Sequence, residues 1–208
     1  MHKRFSIIIP VFNAQSTLDK CLKSIINLRG FENCELIVVN DASTDISVEI
    51  AKKYGAKVVS NSVNKGAAAT RNAGTRVAQG KILLFIDSDV VLSSRNILKY
   101  INEDFESLDI CGVFGVYDEK IAFDNFFSAY KHLYMCYGNL TSVRFGQTAD
   151  SAILAVLRKN YLEIGGFNEN YSGAMAEDVE FSIRFSLKEK NPFLKDSRNC
   201  LKSQQKMN

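Results

Sequence analysis

The first half of the chain repeats one pattern, in which a short continuous apolar run is followed by a polar turn and then by a segment with helical spacing. A continuous run rich in isoleucine and valine is typical of a strand that is buried on both faces of a sheet. Four such runs predict strands over residues 5–12, 35–40, 56–60 and 81–86. Because strands that alternate with helices form right-handed crossovers, the pattern predicts an open parallel sheet with helices on both faces.

The segments between these runs have the spacing of amphipathic helices. In the first, the apolar residues from Leu18 to Ile26 fall on one helical stripe, and Ser16 with Asp19 forms a capping pair. The second segment is stopped by Gly55, and the third is rich in alanine. Helices are therefore expected over residues 16–28, 46–54 and 66–80.

The second half of the chain is less regular. Two more apolar runs, residues 111–117 and 151–158, predict further strands, and the glycines in residues 164–171 predict a turn. Residues 191–208 are polar and weakly patterned, so a poorly ordered tail or the stump of a longer chain is expected there.

The composition is that of one globular domain. A chain of 208 residues with 46% hydrophobic and 24% charged residues can bury a core without disulfides or metal ions. The net charge of +3, from 26 basic and 23 acidic residues, is too balanced for a dedicated nucleic-acid binder. No nucleic-acid partner is therefore expected.

The cysteines and the apolar runs indicate in which cellular compartment the protein is expected. Five cysteines, never in a Cys-x-x-Cys pair, argue against a disulfide framework or a zinc site and predict reduced thiols in a cytoplasmic protein. The apolar run near the N-terminus is short and broken by Pro10, which argues against a signal peptide. No run reaches the length of about 18 apolar residues that a membrane span needs.

Parallel sheets of this type bind ligands beyond the carboxyl ends of their strands, so the loops there are candidate binding segments. Asp87 and Asp89 follow the fourth run. If the strand continued through them, both carboxylates would point to one face, an arrangement that suits Mg²⁺ or Mn²⁺. The alternative for so short a motif is a solvated turn.

Three further groups of charged residues have two interpretations each. Asp41 ends the second run, where its carboxylate could accept a hydrogen bond from a nucleobase or form a turn. Lys65 and Arg71 lie at the start of the third helix, where cations and free backbone amides would face a diphosphate, or would form a solvated flank. Glu177 and Asp178, taken alone, are also typical of a helix N-terminus.

Six blocks stand out along the chain: "SIIIPVFNAQSTLDKCLKSI", "ELIVVNDASTD", "NKGAAATRNAG", "ILLFIDSDVVL", "IGGFNENY" and "AEDVEFSIR". They occur in the order and at the spacing of the family 2 glycosyltransferases, so residues 5–187 resemble that family of inverting GT-A enzymes. The resemblance implies a Rossmann-like α/β fold, with a mostly parallel central sheet flanked by helices on both faces. It also implies a single domain over 1–190, with a nucleotide-binding half at 1–90 and an acceptor-binding half at 91–190.

Together with these positional arguments, the resemblance assigns roles to single residues. The nucleotide-binding set is Pro10, Val11, Phe12, Asp41, Lys65, Arg71, Asp87 and Ser88. Asp89, with Asp87, would hold Mn²⁺ or Mg²⁺, and Asp178 would be the catalytic base with Glu177 beside it. The acceptor side is assigned to Gly165, Gly166 and Phe167.

Residues 179–187 present a conflict between two signals. They alternate apolar and polar, which by period alone predicts a strand. The resemblance implies a helix there, supported by the charged pair Glu180 and Arg184 four residues apart. A helix is the prediction adopted.

The assignments imply inverting transfer of a sugar from a UDP or GDP sugar to an acceptor hydroxyl in a single displacement. The metal ion would offset the negative charge of the departing diphosphate. The chain has no tryptophan and so lacks the Gln-x-x-Arg-Trp motif of processive polymer synthases, which indicates non-processive transfer to a cell-surface or lipid-linked glycan. Family members often carry a histidine after the pair that corresponds to Glu177 and Asp178, where it completes the metal site. Neither His2 nor His132 follows that pair in this chain, which leaves the third metal ligand open.

Alternatives remain for the activity and the partners. The chain could be a non-catalytic or truncated sugar-nucleotide-binding domain of a larger assembly. A nucleotidyltransferase would need a glycine-rich, arginine-bearing loop after the first strand, which the sequence does not supply. An aromatic stripe over residues 121–139 is either core or a peripheral contact with the inner face of the membrane, and a homodimer is also open.

Overall fold

The computed structural model describes residues 3–110, 112–117, 151–171, 177–189 and 193–203. These residues form eight strands and six α-helices. The strands are β1 (Phe5–Val11), β2 (Cys34–Asn40), β3 (Lys57–Ser60), β4 (Ile82–Ile86), β5 (Val90–Leu92), β6 (Gly112–Tyr117), β7 (Ile153–Leu157) and β8 (Phe193–Ser203). The helices are α1 (Leu18–Ile26), α2 (Ser47–Lys53), α3 (Gly66–Val77), α4 (Ile97–Ser107), α5 (Arg158–Glu163) and α6 (Glu177–Glu189).

The eight strands form one sheet in the order β3-β2-β1-β4-β7-β6-β8-β5. The first four strands in this order are parallel, as the apolar runs predicted. β7 lies antiparallel between β4 and β6, and β8 is parallel to β6 but antiparallel to β5. The prediction of a mostly parallel α/β sheet is confirmed, with antiparallel strands in the second half of the chain.

The sheet separates two hydrophobic cores. Successive residues of a strand point to opposite faces, so Ile7 and Ile9 of β1 lie in one core and Ile8 lies in the other. Helices α1, α2 and α4 cover the first core, and α3, α5 and α6 cover the second. Helices on both faces were predicted, and this prediction is confirmed.

Helix α3 lies very close to the sheet. A Cβ atom added at Gly74 would be 2.5 Å from the side chain of Ile8 and 3.0 Å from that of Val39. The absence of a side chain at Gly74 thus lets the helix backbone approach β1 and β2. Every residue from Ala68 to Thr75 is buried as a result.

Two local predictions are wrong. Helix α1 has Thr17 as its N-cap residue, and no side chain caps it; Asp19 instead accepts a hydrogen bond from the Tyr54 hydroxyl at 2.8 Å. Strand β3 is not fully buried, because it lies at the edge of the sheet, where Lys57 and Ser60 are exposed.

Several elements were not anticipated from the sequence. The short strand β5 and the helices α4 and α5 had no prediction. Strand β8 lies where a poorly ordered tail was expected; its backbone pairs with β5 and β6, and such pairing needs no apolar side-chain pattern. The helix expected over residues 179–187 is confirmed as part of α6.

Two predictions concern membranes: a possible membrane contact of the aromatic stripe, and the lack of a membrane-spanning run. The aromatic stripe over residues 121–139 lies outside the described residues. Across the ranges that the structure does describe, none of the helices combines the length and the apolar character that a bilayer crossing requires.

Candidate active site

The loops after β1 and β2 interlock at the carboxyl edge of the sheet. The backbone amide of Asn13 donates to Ser43 Oγ at 3.0 Å, and that of Thr44 donates to Asn13 Oδ1 at 2.8 Å. Asn13 and Ala42 have φ values of 48° and 61°, in the left-handed region that residues other than glycine seldom adopt. These bonds hold the β1 loop so that the ring of Phe12 is 52% exposed at the edge.

Asp41 closes the N-terminus of α3. Its side chain is only 3% exposed, and its carboxylate accepts hydrogen bonds from the backbone amides of Lys65 (3.0 Å) and Gly66 (2.9 Å) and from Asn61 Nδ2 (2.7 Å). An anion at this position satisfies amides that have no partner within the helix and suits the positive end of its dipole. The amides of Lys65 and Gly66, which were expected to be free to face a ligand, have a protein acceptor instead.

Arg71, one helical turn further along α3, connects two acidic side chains. Its Nη2 lies 2.7 Å from Asp87 Oδ1 at the end of β4, and its Nη1 lies 3.5 Å from Glu177 Oε1 at the start of α6. Arg71 is 3% exposed. The expectation that Arg71 faces an open anion site at the helix N-terminus is thus wrong, because its terminal nitrogens bond protein carboxylates.

The charge of Arg71 is maintained by these neighbours. Burial disfavours the charged guanidinium, but the carboxylates of Asp87 and Glu177, with a smaller contribution from Asp178, outweigh it. The pKa of Arg71 consequently lies above its ordinary value. The site therefore contains a permanent buried cation between acidic residues.

The two aspartates after β4 do not continue the strand. β4 ends at Ile86, and residues 87–90 form a turn in which the backbone amide of Val90 donates to the carbonyl oxygen of Asp87 at 3.1 Å. The backbone amide of Asp87 still donates to the carbonyl of Ala152, the residue before β7, at 3.1 Å. The expectation that Asp87 and Asp89 share one strand face is wrong, since both belong to a turn.

The donor set of this turn suits a hard cation. Mg²⁺ and Mn²⁺ are commonly held in phosphate-processing sites by one or two carboxylates, with waters and substrate phosphates completing the shell. Asp87 and Asp89 supply such carboxylates, so the residues present fit the ion. Among the residues that the structure describes, no group of three or more His, Cys, Asp or Glu side chains forms a closed metal site.

The acidic pair at the start of α6 has two different environments. Glu177 is 6% exposed and lies near Arg71, as described above. Asp178 is half-buried, and its Oδ1 accepts a hydrogen bond from the backbone amide of Val179 at 2.8 Å. Glu177 is thus an inward carboxylate with a cationic partner, while Asp178 is accessible at the helix start.

The glycine turn before α6 is held by Asn72, the neighbour of Arg71 on α3. Asn72 Oδ1 accepts from the Tyr161 hydroxyl (2.6 Å) and from the amide of Phe167 (3.0 Å), while its Nδ2 donates to the Phe167 carbonyl and to Glu169 Oε1, both at 2.8 Å. The buried amide side chain therefore uses its full bonding capacity. Gly166, with φ +73°, lies against it.

Not every residue assigned to the site from the sequence presents its side chain there. Val11 and Phe167 are buried in the two hydrophobic cores, so their side chains cannot line an open pocket. Pro10 and Ser88 are half-buried, and Lys65 is exposed. Gly165 lies in the turn, with φ +84° and no heavy atom near its missing Cβ.

Three polar residues of the site were missed by the sequence analysis. They are Asn61, Asn72 and, as an anchor of α6, Arg184, whose guanidinium bonds both oxygens of Glu180 and the carbonyls of Ile164 and Gly166. A usable signal existed for Asn72. It is a large polar residue in an alanine- and glycine-rich helix, where a polar side chain on a buried face needs a hydrogen-bond partner.

The chain belongs to glycosyl transferase family 2, whose family model matches residues 6–163. The minor teichoic acid biosynthesis protein GgaB of Bacillus subtilis is 37% identical over 118 residues, 52% of this chain and 13% of that protein. The poly(ribitol-phosphate) beta-glucosyltransferase of Bacillus spizizenii is 37% identical over 106 residues, 48% of this chain and 17% of that protein. The matches therefore span a small part of these relatives.

Solved structures share the fold. The mannosyltransferase PcManGT from Pyrobaculum calidifontis, in complex with GDP-Man and Mn²⁺, has a TM-score of 0.77 at 17% identity, covering 99% of this chain and 58% of that chain. S. aureus TarS 1–349 in complex with UDP-GlcNAc has a TM-score of 0.77 at 21% identity, and the match covers 99% of this chain and 60% of that chain. The chain thus has the GT-A fold of these transferases.

Proposed function

We propose that this domain transfers a sugar, with inversion, from a nucleoside diphosphate sugar to an acceptor hydroxyl. The observation that carries the proposal lies at the carboxyl edge of the sheet. There Arg71 is within hydrogen-bond distance of Asp87, after β4, and of Glu177, at the start of α6. Such edges are the ligand-binding side of α/β sheets. Asp87, on the proposed donor side, and the helix that carries the candidate base Asp178 are therefore neighbours.

The donor would lie over the loops of the first half, residues 1–90. We place the nucleoside beside Phe12, whose exposed ring offers a stacking surface, with Pro10 and the backbone of Val11 below it. Asp41 shapes the base end of this pocket through its bonds to Asn61 and the first turn of α3. Both UDP and GDP sugars are candidates, since each occurs in a structure of the same fold.

The diphosphate would lie over the turn after β4. Asp89, with Asp87, would hold Mn²⁺ or Mg²⁺, and Ser88 and the exposed Lys65 would flank the phosphates. When bound, such an ion stabilises the negative charge of a departing diphosphate. The PcManGT structure, which has this fold, was solved with GDP-Man and Mn²⁺.

Asp178 is the proposed catalytic base. A carboxylate at this position would take the proton of the acceptor hydroxyl while that oxygen attacks the anomeric carbon from the side opposite the diphosphate. Glu177, paired with Arg71, holds the start of α6 beside it. The displacement is a single step, so no covalent bond between the enzyme and the sugar is needed.

The acceptor would approach the second half, residues 91–190, beside the turn that contains Gly165 and Gly166. The relatives named for teichoic acid and poly(ribitol-phosphate) make a cell-surface polymer or its lipid-linked precursor a reasonable acceptor. We propose that the reaction is non-processive and takes place in the cytoplasm, where nucleotide sugars are available.

The substitution Asp178→Asn tests this function directly. It removes the base but keeps the size and most hydrogen bonds of the side chain, so transfer or hydrolysis of the donor should fall by at least about 100-fold. Turnover of a panel of UDP and GDP sugars with Mn²⁺ measures the loss, and calorimetry measures nucleotide binding, which should remain.

Two results would contradict the proposal. Unchanged turnover in Asp178→Asn would remove Asp178 from the chemistry. Nucleotide binding without turnover in the unsubstituted protein would favour the alternative, a sugar-nucleotide-binding domain that works within a larger assembly.

A further inference from the structure

Arg71 is the point at which three parts of the proposed site meet. Its Nη2 holds Asp87 in the turn after β4, its Nη1 approaches Glu177 on α6, and its guanidinium carbon lies 5.4 Å from the centre of the Phe167 ring in the glycine turn. These contacts join the proposed donor side, base helix and acceptor side.

The shape of the guanidinium suits this connection. It is planar and rigid, and its two terminal nitrogens point in fixed directions, so two carboxylates bonded to one arginine are held at a fixed separation. A lysine has a single flexible nitrogen and cannot impose that geometry. Arg71 thereby constrains the distance from Asp87 to Glu177, and hence to the adjacent Asp178.

The burial of Arg71 argues against direct contact with the donor. At 3% exposure, with both terminal nitrogens directed to protein carboxylates, the side chain offers no open surface to a diphosphate. Lys65, which is exposed, is free of this restriction. The packing of Arg71 in the densely buried part of α3 also keeps it from swinging toward the solvent.

We propose that Arg71 is a positioning residue, which fixes the turn carrying the donor-side aspartates relative to the start of α6, rather than a ligand of the donor phosphates. The inference rests on the proposed function. It assigns Arg71 an effect on the chemical step and none on nucleotide affinity, because a misplacement of about 1 Å between reacting groups can cost about 100-fold in rate.

The experiment compares three variants of the full chain. Arg71→Met keeps the length of the stem and removes the fork, and Arg71→Lys keeps the charge but replaces the planar fork with a single flexible nitrogen. Arg76→Met is the matched control on the same helix, since Arg76 forms an exposed pair with Glu169 at 3.6 Å. The probe is UDP-GlcNAc with Mn²⁺, or GDP-mannose if the unsubstituted protein turns over that donor instead.

Two quantities are measured for each variant. They are kcat for donor hydrolysis per folded molecule, with the folded fraction taken from circular dichroism melting curves, and the Kd of UDP or GDP from calorimetry. We expect kcat to fall by about 100-fold in Arg71→Met and by about 10-fold in Arg71→Lys. The Kd should be unchanged in both, and Arg76→Met should match the unsubstituted protein.

The outcomes separate this inference from the proposed function. A Kd that weakens as much as kcat falls would make Arg71 a donor ligand, and an unchanged kcat per folded molecule would make its role purely structural; either result overturns the inference. If Arg71→Met does not fold, the loss of kcat at unchanged Kd in Arg71→Lys decides. An unsubstituted protein that neither binds nor hydrolyses any donor overturns the proposed function instead.

Discussion

The carboxylate of Asp41 is an internal anion for the N-terminus of α3. It is buried, and it bonds the backbone amides of Lys65 and Gly66 as well as Asn61. A bound diphosphate could not replace it there without displacing a protein side chain. The residue therefore contributes to stability whatever its contact with a nucleobase.

Substitution of Asp41 by alanine should lower the free energy of unfolding by about 1 kcal/mol, because the backbone amides of Lys65 and Gly66 lose their charged acceptor at the helix N-terminus. Asp41→Asn keeps one acceptor oxygen and should lose less. Urea denaturation of the three proteins measures the difference. A loss below about 0.5 kcal/mol in Asp41→Ala would show that the cap is not important for stability.

The free energy of unfolding should depend on pH through Asp45. Burial raises the pKa of its carboxyl, but hydrogen bonds from Ser47 and Gln15 outweigh this and lower the pKa below its ordinary value. Its stabilising contribution is therefore present above the unfolded value of about 3.9 and is lost as the pH falls through the folded pKa.

The substitution Asp45→Ala should therefore cost about 1 kcal/mol at pH 7. The difference in free energy of unfolding between the two proteins should narrow as the pH falls below about 4. Denaturation curves at a series of pH values measure it. A difference that stays constant or widens toward low pH would contradict the assignment.

The positions of these residues followed from the sequence, but their bonds did not. Charged residues after apolar runs fall at the carboxyl edge of the sheet, which placed Asp41 and Asp87 in one region, and Arg71 lies near the start of the helix that begins at this edge. The sequence left open whether Asp41 would form a turn or contact a ligand, and it did not predict the carboxylate partners of Arg71. That outcome depends on how closely α3 approaches β1 and β2, which Gly74 permits.

Helix α6 shows why periodicity alone failed at the level of an element. Apolar residues at every second position point to opposite sides of a helix, because two residues turn it by about 200°. Phe181 and Phe185 are buried in the core, while Val179, Ile183 and Leu187 form an exposed row on the other side. Both faces of the helix are apolar, so the pattern imitates a strand.

The glycine turn before α6 provides a test at the same scale. In Gly166→Ala the new Cβ would lie 2.5 Å from Asn72 Oδ1 and 3.0 Å from the Tyr161 ring, on a backbone with φ +73°. In Gly165→Ala the φ of +84° is similar, but no heavy atom lies within 4 Å. The second variant is thus a control for backbone strain alone.

Gly165→Ala should cost about 1 kcal/mol of stability, and Gly166→Ala should cost clearly more, because overpacking adds to the strain. Thermal and urea denaturation of both variants measure the costs. Equal losses in the two variants would show that the Asn72 contacts do not tighten the turn.

For the whole molecule, the sequence predicted the parallel half of the sheet better than the other half. The strands β1 to β4 and the helices between them follow from local pattern, since each crossover connects neighbours. The antiparallel β7 and the pairing of β8 depend on contacts between distant segments, and local periodicity carries no information on strand order or direction. The acidic start of α6 was placed beside β4 only by the family resemblance.

The central claim is that a nucleoside diphosphate sugar binds at the carboxyl edge of the sheet with a metal ion held at Asp89. The direct measurement is calorimetric titration of UDP and GDP sugars into the protein, with and without Mn²⁺, in the unsubstituted chain and in Asp89→Asn. We predict Mn²⁺-dependent binding of one donor class in the unsubstituted chain, weakened by at least about 10-fold in Asp89→Asn. Binding of no donor, or binding that neither Mn²⁺ nor Asp89→Asn affects, would contradict the account.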